Sequence, residues 1–69
     1  MVYDTVMKGS ELVAIAKSKG WYFLRHGSRH DIYVHDVHPY PVQIPRHKSQ
    51  EVPRGTLASI LKQLNGEGR

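Results

Sequence analysis

The sequence predicts a small α+β domain whose elements run α-β-β-β-α, a three-stranded antiparallel meander carrying both helices on one face. Three observations lead there. Helical periodicity is confined to two stretches, one towards each end of the chain. Between them lie three short runs rich in aromatic and β-branched residues, separated by turn-forming segments. Those runs can also be aligned so that apolar residues of one face meet across all three strands.

Taken in order, residues 1–6 precede the first helix signal and read as a flexible N-terminal extension. Ser10 is suited to cap a helix, and "ELVAIAKSK" follows with Leu12, Ile15 and Ala16 at helical spacing. Gly20 stops it, after Lys17 and Lys19 at the end where the helix dipole favours cations. A first helix over about residues 10–19 results. "WYFLR" (21–25) is too short for a helix and reads as a strand. "HDIYVH" (30–35) and "PVQIPR" (41–46) alternate with period two, and Pro45 restricts the latter to a sheet edge or strand end. In "PRGTLASILKQLNG", Leu57, Ile60, Leu61 and Leu64 share one helical face. Pro53 suits the first turn and Asn65-Gly66 the stop. One domain over residues 7–66 is expected, with a short tail at 67–69.

A register follows from the apolar pattern. Pairing Arg25 with His30 sets Phe23 opposite Ile32 and Trp21 opposite Val34. Pairing His30 with Arg46 sets Ile32 opposite Ile44 and Val34 opposite Val42. That face would be the one buried by the helices, and the row Arg25, His30, Arg46 would lie at its end. Tyr22, Tyr33 and Gln43 would gather on the open face.

Composition narrows the function. A chain of 69 residues without cysteine has a thin core, no disulfide framework and no thiolate metal site. Such a fold suits a reducing cytoplasm and can gain stability from a partner. No apolar run approaches the ~20 residues of a membrane span, and the start "MVYDTV" lacks signal-peptide features. A net charge of +4 and a pI near 9.7 favour an acidic partner, with nucleic acid foremost.

"LRHGSRHDIY" (24–33) carries the chemistry. His30 can take the proton of a ribose 2′-OH or deliver one to a leaving oxygen. Arg25 and Arg46 can hold the phosphate and stabilise charge developing on its oxygens. Gly27-Ser28 shapes a turn that lets backbone approach closely. Arg29 and Lys48 extend the cationic RNA path, and His47 is the candidate for a second proton-transfer group. By alternation Asp31 faces away from His30, which argues against a His–carboxylate relay. The histidines lack ligand spacing with any carboxylate, so no metal site or cofactor is expected. His38, in the polar loop "DVHPYP", reads as solvated. Tyr22 and Tyr33 read either as base-stacking groups or as cross-strand filler.

"KGSELVAIAKSKGWYFLRHGSRHDIYVH" followed by "PVQIPRHKSQEVPRGTLASILKQLNG" resembles the HicA family of mRNA interferase toxins over about residues 8–66. The resemblance rests on the Gly-Trp that opens the first strand and on the G-[S/G]-x-H-x-[I/L]-Y segment. It rests also on the P-R-H after the third strand and on G-T-L-x-x-I-L-K in the last helix. It implies a fold like a double-stranded-RNA-binding domain, ribosome-independent cleavage of mRNA, and neutralisation by a HicB-type antitoxin. Together with the reading of the residues, the expectation is a domain that binds single-stranded RNA and cuts it without metal. In that family a histidine after the Gly-Ser or Gly-Gly pair is catalytic. Some members carry two there. Here Arg29 fills the first slot, which leaves His30. The alternative reading is a non-catalytic RNA-binding domain of the same fold.

Overall fold

The computed structural model describes residues 7–46 and 49–67. The expected extension at 1–6, together with His47 and Lys48, lies outside the described residues. The elements are α1 (Gly9–Ser18), β1 (Tyr22–His26), β2 (His30–Val34), β3 (Val42–Pro45) and α2 (Arg54–Leu64). The strands form one antiparallel sheet in the order β1-β2-β3. This is the expected α-β-β-β-α arrangement of a double-stranded-RNA-binding-domain-like fold. Among the described residues no helix is long and apolar enough to cross a membrane.

The start of α1 differs from expectation. Lys8, not Ser10, is the N-cap residue, because Glu11 reaches back to accept the Lys8 backbone N–H at 2.8 Å. Gly9 N–H also donates to Gln50 O at 3.1 Å, and Val52 N–H to Met7 O at 2.9 Å. These bonds tie the entry of α1 to the approach to α2.

Both helices end in the same way. Trp21 N–H bonds Ala16 O and Gly20 N–H bonds Lys17 O; Glu67 N–H bonds Lys62 O and Gly66 N–H bonds Gln63 O. These are Schellman motifs. The glycines take the left-handed conformation that such motifs demand, with φ of +93° at Gly20 and +86° at Gly66.

The core joins Leu12, Val13 and Ala16 of α1 to Leu57, Ile60 and Leu64 of α2, against Trp21, Tyr33, Val42 and Ile44. Burial of side chains such as Leu12, Ile44 and Leu64 stabilises the fold by about 1.5–3 kcal/mol each relative to exposure.

The sheet register is not the one the apolar pattern suggests. Asp31 pairs with Ile44, Ile32 with Gln43 and Tyr33 with Val42; Phe23 pairs with Tyr33 and Arg25 with Ile32, with a bulge between Phe23 and Arg25. A slip of one residue exchanges the faces of a strand. Tyr33, 3% exposed, therefore packs in the core with Val42 and Ile44, while Ile32 is buried outside that cluster. Phe23 is 42% exposed, and Trp21 enters the core as the residue after the helix stop, before β1 begins. The slip is tolerated because Asp31, which it turns towards the helix side, finds partners there.

Candidate active site

The turn joining β1 to β2 closes through Gly27 N–H, which donates to His30 O at 2.6 Å. A Cβ on residue 27 would stand 2.8 Å from that same oxygen. Glycine is what allows the two backbones to approach. His30 follows as the first residue of β2, half-buried and paired across the sheet with Pro45.

Beneath this turn lies Asp31, 3% exposed. Its Oδ1 is 2.7 Å from His26 Nδ1 and accepts the Arg46 Nε–H at 3.2 Å. Arg46 also donates through Nη2 to Gly27 O. One carboxylate thus links the last residue of β1, the second residue of β2 and the residue after β3. Burial of the charge is tolerable because these groups answer it.

The basic row Arg25, His30, Arg46 does not form as the notional register drew it. His30 is opposite Pro45, and Arg25 is one pair further along, opposite Ile32. Arg46 is turned to Asp31 and Gly27 while keeping 40% of its side chain exposed. Among the described residues, the cations that do join His30 are Arg29 and Arg46. With Ser28 and Pro45 they line a depression of about 440 Å³. A second depression, of about 510 Å³, lies between β3 and α2, and His30 lines it as well. Among the described residues, His30 is the one common to both.

Asp31 faces away from His30, as alternation implies, and its imidazole partner is His26 instead. Among the described residues no three His, Cys, Asp or Glu side chains gather as a metal-binding group. Tyr33 is committed to the core and does not offer its face to a base. Tyr22 is exposed, and its hydroxyl donates to Asp36 Oδ1 at 3.0 Å. That hydrogen bond, with the carboxylate charge behind it, raises the Tyr22 pKa above its ordinary value.

With this geometry in view, residues 9–65 match the family described as "HicA toxin of bacterial toxin-antitoxin". The chain belongs to the HicA toxin family. No match was found among curated proteins or among solved structures. The matched segment runs from the first residue of α1 to the cap of α2, so it takes in the turn, every strand and both helices. This HicA-family chain is therefore the toxin of a toxin–antitoxin system, and an antitoxin is its partner.

Two features of this HicA toxin escape sequence reasoning. The His26–Asp31 pair is one; residues five apart become cross-strand neighbours only once the tight turn and the true register are known. The other is an aromatic cluster beyond the far end of β2. His38, expected to be solvated, stacks on Trp21 with ring centroids 5.5 Å apart and planes 11° apart. His35 meets Trp21 edge-on at 5.1 Å. Trp21 Nε1–H in turn donates to Leu64 O at 3.0 Å, joining the exits of both helices. The polar composition of the loop hides this contact, because its partners come from distant parts of the chain.

Proposed function

We propose that this HicA-family toxin is a metal-independent endoribonuclease that cuts single-stranded mRNA, with His30 as the general acid–base and a HicB-type antitoxin as its inhibitor. The observation that carries the reading is the position of His30, half-buried at the junction of a cationic depression and a polar groove. A scissile phosphate resting there has Arg29 and Arg46 beside its oxygens and the imidazole within reach of the ribose.

The chemistry needs little else. His30 accepts the 2′-OH proton as the 2′-oxygen attacks phosphorus. The 5′-oxygen of the next nucleotide leaves with a proton, giving a 2′,3′-cyclic phosphate. Guanidinium groups stabilise the charge gathered on the phosphoryl oxygens. Arg25 and Lys48 extend the electrostatic track for the strand, and His47 is the candidate second proton-transfer group. Gly27 and Ser28 hold the turn close enough for backbone to approach the RNA. Such a toxin acts in the cytoplasm, where its substrate is, and an acidic antitoxin surface over His30 would silence it.

The deciding experiment incubates wild type and His30→Ala with RNA in the presence of EDTA. Cleavage by wild type and its loss in the folded variant are expected. Equal cleavage by both would remove His30 from the mechanism, and RNA binding without cleavage by either would favour the non-catalytic domain.

A further inference from the structure

We propose that the groove between β3 and α2 is a nucleoside subsite that holds a base beside the scissile phosphate and sets the sequence preference of the cut. This rests on the endoribonuclease reading of His30 and adds to it the part of the substrate recognised.

The two depressions that meet at His30 differ in chemistry. The one at the turn contains Arg29 and Arg46. Among the described residues, the one between β3 and α2 contains neither a carboxylate nor a fixed cation. Its walls carry Gln43, Thr56, Ser59 and Gln63, and the buried side chain of Ile60 contributes an apolar surface. Phosphate charge belongs with the first. The second suits a base, whose edge offers donors and acceptors and whose face is apolar.

The polar groups are also available. Neither Gln43 nor Thr56 forms a side-chain hydrogen bond within the described residues. Gln63 Nε2–H reaches Ser59 Oγ only at 3.5 Å, a contact weak enough to exchange for a ligand. An amide presents a donor and an acceptor together, the arrangement that distinguishes one base edge from another. The volume of about 510 Å³ falls in the range of small-ligand sites, ~300–1,000 Å³. Gln43 and His30 are also neighbours on one face of the sheet. Gln43 pairs with Ile32 and His30 with Pro45. A base against Gln43 therefore leaves its own phosphate near the imidazole.

Two exposed positions test this without threatening the core: Gln43→Leu and Thr56→Val, each checked for folding by circular dichroism. A random-sequence RNA pool is digested by wild type and variants, and the cut ends are sequenced. The preference for one nucleotide next to the cut should fall about tenfold in at least one variant, the discrimination of one good base contact. In parallel, amide NMR follows wild type titrated with dinucleotides made uncleavable by a 2′-deoxyribose. Resonances of Gln43, Thr56 and Ser59 should move, and by different amounts for different bases. Groove shifts from a chain that cuts no RNA would uphold the subsite and overturn the catalytic reading. Cleavage with an unchanged cut profile in both variants, and no groove shifts, would overturn the subsite and leave catalysis standing. Groove shifts produced by the antitoxin alone would overturn it too, marking the groove as a protein contact.

Discussion

Arg46 Nε donates to Asp31 Oδ1 across 3.2 Å, fastening the residue after β3 to the central strand directly behind His30. The same guanidinium holds Gly27 O, so the ion pair also braces the turn that presents the histidine. Asp31→Ala should destabilise the protein by about 2 kcal/mol, because the pair is only partly shielded and Arg46 can recover water. Chemical denaturation reads the loss. Cleavage should fall further than unfolding accounts for when assayed where the variant is still folded.

Gly27→Ala tests the close approach at the turn. The added methyl meets His30 O at 2.8 Å, a backbone atom that cannot rotate away. The turn has to open, at a cost of about 1–3 kcal/mol. Single-turnover cleavage should drop while the far end of the sheet keeps its amide hydrogen-exchange protection.

Gly20→Ala places a side chain at a left-handed position, which costs about 1–2 kcal/mol. It also drives Cβ to 2.8 Å from His35 Nε2. That ring is held on both sides, by Lys19 O at 3.0 Å and by Val37 N–H at 3.0 Å. A double-mutant cycle separates the two costs. In the His35→Ala background the Gly20→Ala penalty should shrink towards the backbone part alone, and equal penalties would mean that the ring yields freely.

RNA binding by the proposed cationic track should weaken with salt. Arg29→Ala is expected to flatten the slope of log K against log salt by about 0.7, the value for one lost contact to a single strand. An unchanged slope would take Arg29 off the RNA path.

Tyr22 gives a prediction in alkali. Its raised pKa comes from the hydrogen bond to Asp36 and from that carboxylate's charge. Asp36→Asn should therefore lower the Tyr22 pKa towards its ordinary value, followed by the NMR shift of its ring. A group with a raised folded pKa contributes fully below its unfolded pKa and loses the contribution as pH rises through the folded one. The variant should differ from wild type in the approach to alkaline unfolding, by little because the phenol is exposed.

Local chemistry carried much of this protein into view from the sequence. Gly20 and Gly66 end the helices whatever surrounds them, since the left-handed conformation is a property of the residue. The spacing of Leu57, Ile60 and Leu64 defines a buried helical face that the structure retains. The Gly27 turn and the position of His30 at the head of a strand were equally legible, because a tight turn depends on neighbours in the chain.

The faces of the sheet were decided only by tertiary structure. "HDIYVH" offers two alternating sets, and hydrophobicity favours Ile32 and Val34 for the core over Asp31 and Tyr33. The folded chain chooses the second set. Burying Asp31 is unfavourable alone and acceptable beside His26 and Arg46, and Arg46 lies fifteen residues away in sequence. The bulge between Phe23 and Arg25 then allows β1 to keep its pairing. The same distance in sequence hid the stacking of His38 on Trp21 and the groove that gathers β3 and α2 around His30. Periodicity reports which residues can share a face. Which face is buried depends on charges and rings that meet only after the strands have paired.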